Sequence, residues 1–165
     1  MPDLVFDACV VSNFALTESL RLLQQAFGGR CFLTDHVYME ILRGIRSGHN
    51  RLAGISSAMS AGWLEKIELR SIREKAVFER LTESLGLGEA ASIAVAASRR
   101  LVFACDDLVA RREAEKIGVL LTGTLGILKG MVRRKIIAVR EADRLLNEMI
   151  KNGFYSPIQS IRDIR

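Results

Sequence analysis

The chain has 165 residues, 49% of them hydrophobic, and its 24 Lys and Arg against 19 Asp and Glu give a formal net charge of +5. That apolar content excludes intrinsic disorder, 2 prolines exclude a collagen-like chain, and 6% aromatic residues argue against a large all-β sandwich. The length fits one domain over 1–165, and a pI near 9.4 points to an anionic partner, nucleic acid first.

Leu4-Val5-Phe6 is a short apolar run that reads as a buried parallel strand ending at Asp7. Leu16, Leu20, Leu23 and Phe27 then share one helix face, which Gly28-Gly29 stops. Cys31-Phe32-Leu33 is a second strand, and Thr34 or Asp35 caps the helix that carries Val37, Ile41 and Leu42. A polar stretch from Gly44 to Asn50 leads into a further helical segment reaching about Ala61. Trp63 to Ile67 alternates and predicts an edge-like third strand.

Ser71 to Ser84 is helical, and Gly86 and Gly88 break it. Glu89 to Ser98 is apolar almost all round and predicts a buried helix. Leu101 to Ala104 is the fourth strand, Asp107 to Ile117 a helix stopped by Gly118, and Val119-Leu120-Leu121 the fifth strand. Two helices follow, about Thr124 to Arg134 and Arg140 to Asn152. Strands alternating with helices predict a three-layer α/β/α sandwich around a mostly parallel sheet of about five strands.

Cys9, Cys31 and Cys105 are far apart and form no C-x-x-C pair, so a disulfide framework and a zinc knuckle are excluded. Each lies in an apolar segment, which predicts buried thiols in a reducing, cytoplasmic setting. No apolar run approaches the ~18 residues of a membrane span, and the opening MPDLVFD lacks a basic leader region, so a soluble, non-exported protein with no membrane partner is expected.

Open parallel sheets bind ligands at the carboxyl ends of their strands. Asp7 follows the first strand and Asp106-Asp107 the fourth, while Glu40 and Glu89 lie in helices next to strands. If the first and fourth strands are neighbours, these carboxylates converge. Carboxylates brought together repel, and a hard divalent cation, Mg²⁺ or Mn²⁺, relieves the repulsion with oxygen ligands alone. Such a site hydrolyses phosphodiesters. Taken singly, Asp107 reads as a helix N-cap, Glu89 as a favourable charge in a first helical turn and Glu40 as a solvated residue. Asp7, between apolar stretches, is the hardest to explain structurally.

Other constellations do not fit. Asp7-Ala8-Cys9 lacks the second Asp of a haloacid-type phosphatase, and no Gly-Lys-Ser/Thr follows a Gly-rich loop. The only histidines are His36 and His49; neither is expected at a strand end, and His36 is expected on the surface near a helix start. The Gly86/Gly88 pair reads as a turn. Arginines cluster around 43–51, 99–112 and 133–134, where a solvated face is the ordinary explanation. Arg111 and Arg112 lie about one turn after Asp106 and could hold phosphates there.

LVFDACVVSNFA resembles the opening of PIN-domain nucleases, and VYMEIL matches that family's second acidic segment. LGLGEAASIAVA, LVFACDDLVARREAEKIGV and TGTLGIL are similar to a PIN subgroup related to VapC-type toxins. The resemblance spans about Leu4 to Leu128. It implies a Rossmann-like α/β/α sandwich and Mg²⁺- or Mn²⁺-dependent endoribonuclease activity. The family's acids fall on Asp7, Glu40, Glu89 and Asp106, and its supporting small polar residue on Ser12, with Asn13 beside it.

On this reading Asp7 and Asp106, with Glu89, ligate the metal. Glu40 and Glu89 complete the pocket and orient the water that attacks. Asp107 is the alternative to Asp106 as ligand. The resemblance further implies RNA as partner, single-stranded, a homodimer and a possible small antitoxin protein. Two alternatives stay open: a non-catalytic nucleic-acid-binding module of the same fold, and a regulatory domain that binds no nucleic acid.

Overall fold

The computed structural model describes residues 2–28 and 30–164. Its elements in chain order are β1 (Leu4–Phe6), α1 (Ala8–Leu16), α2 (Leu20–Phe27), β2 (Cys31–Thr34), α3 (Asp35–Arg46), α4 (Ala53–Ser60) and β3 (Leu64–Ile67). They continue with α5 (Ile72–Leu81), α6 (Leu87–Arg99), β4 (Val102–Ala104), α7 (Leu108–Lys116), β5 (Leu121–Thr122), α8 (Thr124–Arg133) and α9 (Val139–Lys151). Short 3₁₀ turns lie at Asn50–Leu52 and Ile161–Asp163.

The five strands form one all-parallel sheet in the order β3-β2-β1-β4-β5. Leu4 pairs with both Cys31 and Val102, so β1 is central. The pleat sorts the core. Leu4, Phe6, Cys31 and Leu33 face the layer that includes α1, α4, α8 and α9, while Val5 and Phe103 face α6 and α7. This is the expected three-layer sandwich.

The chain leaves β1 toward β2 and β3, then returns to build β4 and β5 on the other side. The reversal makes a crevice between the carboxyl ends of β1 and β4, where Asp7 and Asp106 emerge.

Local signals explain most boundaries. Thr34 Oγ1 accepts from Val37 N–H and caps α3, and Ser71 and Glu74 form a reciprocal capping box at α5. β3 is an edge strand with Glu65 and Lys66 exposed, as its alternation predicts.

Several expectations need correction. The face from Leu16 to Phe27 belongs to two helices, α1 ending at Leu16 and α2 beginning at Leu20. The break is at Thr17–Ser19: Glu18 adopts φ +54, Ser19 N–H donates to Phe14 O at 2.8 Å, and the Thr17 hydroxyl donates to Asn13 O. Hydroxyl side chains compete for helical carbonyls, which periodicity does not register. Gly28 caps α2 in the left-handed region, and Gly29 lies outside the described residues.

β5 begins at Leu121, two residues later than expected. After the Gly118 turn, Val119 N–H closes on Ala114 O at 3.0 Å, so Val119 finishes α7 rather than starting the strand. Gly86 is the N-cap of α6, but Gly88 lies inside its first turn rather than breaking a helix. Cys31 and Cys105 are buried as expected, whereas Cys9 is exposed. His36 stands in the first turn of α3, directly after β2. It is only partly exposed, its ring 4.9 Å from that of Phe78 and its Nδ1 3.1 Å from Asp35 Oδ1.

No helix among the described residues is long and apolar enough to cross a membrane.

Candidate active site

Asp7 ends β1 as the N-cap residue of α1, yet its side chain does not bond the helix in the usual capping manner. It is 2% exposed. Cys105 Sγ donates to its Oδ2 at 3.7 Å, a weak bond for a buried carboxylate. Burial first, then the charges of Glu89 and Glu40, push the Asp7 carboxyl up to about 7, against a smaller opposing pull from the Ala8 N–H and Cys105. The acid that is hardest to explain structurally from the sequence is buried in the structure, where neighbouring charges disfavour its ionised form.

The amino end of α6 places both glutamates. Glu89, in its first turn, accepts from Gly86 N–H at 3.3 Å, and Glu40, reaching across from α3, accepts from Gly88 N–H at 3.2 Å. Their approach depends on Gly88. A Cβ there would collide with the Glu40 carboxylate and come within 3.1 Å of Val37. Burial first, then Asp107 and Glu40, also raise the Glu89 carboxyl.

Asp106 and Asp107 divide as their positions suggest. Asp107 Oδ1 accepts from Ala110 N–H at 2.8 Å and caps α7. Asp106 Oδ1 accepts from the Thr124 N–H at 2.9 Å, and its Oδ2 accepts from the Thr124 hydroxyl at 2.6 Å. Asn13 Nδ2 donates to Thr124 Oγ1 at 2.9 Å, which ties α1 to the same chain of bonds. Gly123 makes room: a Cβ there would sit 2.6 Å from Asp106 Oδ1. Ser12 lies half-buried on α1 beside Asn13.

Sequence reasoning missed Thr124. The TGTLGIL string marked it as part of a resemblance but did not reveal its partner 18 residues upstream.

Cys9 stands in the first turn of α1, with its thiol turned partly out of solvent. Desolvation first, then Asp7, Asp106, Glu89 and Glu40, push it up to about 12. The charges of all four carboxylates thus reach the Cys9 thiol. Their chemistry, all oxygen and mutually repelling, fits a hard divalent cation. The side chains as placed satisfy themselves on local donors instead. Among the described residues, no group of three or more His, Cys, Asp and Glu is gathered so as to hold a metal ion.

The arginines separate into distinct roles. Arg111 turns inward, its Nη1 donating to Cys105 O at 2.6 Å and Thr122 O at 2.9 Å, and so clamps β4 to β5. Arg112, the next residue, is exposed. Arg99 bonds the buried Glu74 at 2.9 Å, and that bond leads the causes that hold the Glu74 carboxyl down at about 2. Arg51 and Arg134 donate to Leu16 O and Ala26 O near the ends of α1 and α2. Arg51, Arg99 and Arg134 thus hold helix ends and loops.

A family model described as DUF3368: PIN domain matches residues 3–165. No curated protein and no solved structure matches the chain.

Proposed function

The chain belongs to the PIN-domain family, whose members are generally nucleases, and from that membership we propose that it is a divalent-metal-dependent endoribonuclease of the VapC-related branch. What supports this reading is that Asp7 lies buried at the end of β1 with the charges of Glu89 and Glu40 acting on it, and that Asp106 follows the neighbouring strand β4. The Ala8 N–H and the Cys105 thiol that face Asp7 do not offset its burial and the neighbouring charges.

Asp7 and Asp106, with Glu89, would hold Mg²⁺ or Mn²⁺, and Thr124, Asn13 and Ser12 would keep that set in place. When bound, the cation would supply charge stabilisation for the phosphodiester under attack. Glu40 and Glu89 would orient the water whose oxygen attacks phosphorus while the ribose oxygen departs. Single-stranded RNA is the proposed substrate, and a homodimer, a small antitoxin partner and a cytoplasmic setting go with this reading. Arg112 would contribute to phosphate binding.

The test is incubation with mixed RNA, with Mn²⁺ or with chelator. Mn²⁺-dependent cleavage supports the proposal. One observation favours a second reading, a non-catalytic nucleic-acid-binding module: the carboxylates as placed do not close into a ligating set. Salt-dependent RNA binding without cleavage would establish it.

A further inference from the structure

The segment after α9 is anchored backbone that displays an aromatic ring to solvent. Gly153 turns the chain out of the helix at φ +104, and Phe154 N–H donates back to Met149 O at 2.9 Å. Downstream, Asp143 accepts from Ile161 N–H at 2.7 Å and from the Ser160 hydroxyl at 3.0 Å, and the Ile161 side chain is buried. Between these anchors Tyr155 is 90% exposed. A ring in this position contributes little burial to the fold, so its packing face is available to a partner.

Tyr155 and Phe154 line a groove of about 540 Å³ together with Leu108 and Leu125, and the groove reaches Asp106 and Arg111. That volume suits a small organic group. Among the described residues only the Nη1 of Arg111 is engaged, by two carbonyls, which leaves its Nε and Nη2 for an anion. A largely apolar groove, a guanidinium and continuity with a candidate cleavage carboxylate match the parts of one nucleotide: a base to stack and a phosphate to neutralise. The net charge of +5 complements a polyanion.

We propose that this groove seats an unstacked base of single-stranded RNA beside the phosphate to be cut, with the Tyr155 ring as its stacking face. The proposal rests on the nuclease reading of the acidic edge and adds to it a base-stacking subsite and the residue that forms it. A base inside a duplex cannot offer its face, so duplex RNA gains nothing from the groove.

The test is the affinity of the full chain, in chelator, for a short fluorescein-labelled single-stranded RNA of mixed sequence and for its duplex. Tyr155→Ala should weaken single-strand binding about tenfold and leave duplex binding unchanged, and Tyr155→Phe should bind like wild type. Because Tyr155 is exposed, none of these variants should compromise folding.

If wild type cleaves RNA with Mn²⁺ but Tyr155→Ala binds the single strand equally well, the groove proposal falls alone. Equal losses for single strand and duplex also overturn it. If wild type neither binds nor cleaves, the nuclease reading falls and takes the groove with it. A groove occupied by a peptide segment of another protein would give the first of these results.

Discussion

Thr124 grips Asp106 by both carboxylate oxygens, its backbone N–H on Oδ1 at 2.9 Å and its hydroxyl on Oδ2 at 2.6 Å. Thr124 is fully buried and also accepts from Asn13, so one side chain joins α1, the end of β4 and the start of α8. Thr124→Val keeps the shape and deletes the hydroxyl. It should destabilise the protein by ~1–3 kcal/mol, because Asn13 and Asp106 each lose a buried partner. It should also weaken Mn²⁺ binding by about 10–100-fold, as loss of a residue that orients a ligand does. Thermal melts with a Mn²⁺ titration measure both effects, and Thr124→Ser should restore them.

The Asp7 carboxyl makes a pH-dependent demand on the fold. Its pKa rises from 3.8 to about 7 on folding, so between those values the native state holds a proton that the unfolded chain releases. Stability from this group is therefore fully present at low pH, declines as pH rises toward 7, and stays lost above it. The effect is of the order of a few kcal/mol. Asp7→Asn should accordingly melt higher than wild type at about pH 8 in chelator, and the difference should shrink toward about pH 5. A variant that melts lower at both would show Asp7 to be a structural hydrogen-bond partner.

Divalent metal should act in the opposite direction to that repulsion. Mn²⁺ at a hundredfold excess over Kd should stabilise wild type by about 2.7 kcal/mol if it binds the native form alone. Asp7→Asn should lose most of that gain together with RNA cleavage. Calorimetric melts with and without Mn²⁺ check the first statement, and a gel-based cleavage assay the second. Unshifted melts in both proteins would remove the metal-site reading.

Arg111 and Arg112 are adjacent in sequence but differ in structure. Arg111→Ala should destabilise the fold by ~1–3 kcal/mol, since Cys105 O and Thr122 O lose a charged donor. Arg112→Ala should leave the melt in place and weaken binding to RNA of any sequence, with the log–log salt slope flatter by roughly 0.7 for a lost single-strand contact. Binding isotherms at several salt concentrations, beside melts, separate the two. An unchanged slope for Arg112→Ala would make it a solvated charge.

Gly88→Ala tests how closely α3 and α6 must meet. A methyl group there collides with the Glu40 carboxylate and crowds Val37. Because the flexible Glu40 side chain can swing aside and Ala is the better helix former, stability should change by no more than about 1 kcal/mol. The substitution should lower activity, because Glu40 must move away from the Gly88 N–H. A denaturant melt and a cleavage rate check the pair of effects.

The sequence alone determined the elements whose causes are local. Leu4–Phe6 and Val102–Ala104 are legible as strands because a run of apolar residues can be satisfied only by burial on both faces of a parallel sheet. Thr34, Ser71 with Glu74, and Asp107 announce helix starts because their side chains reach an N–H three residues on. The four acids were legible as candidates only jointly, through the strand-end rule for parallel sheets and the family resemblance of the segments that carry them. What local pattern could not show is where the chain crosses itself. The break at Thr17–Ser19 turns on hydroxyls bonded to carbonyls, the late start of β5 on a closure by Val119, and the clamp of Arg111 on two strand ends. The pairing of Leu4 with Val102 creates the crevice, and only that pairing brings Asp7, Asp106 and Thr124 to one edge and the Tyr155 groove to its border. Burial and repulsion at Asp7 follow from the same pairing. They are properties of an assembled environment in which distant charges share a poorly solvated space, and no stretch of sequence carries that environment by itself.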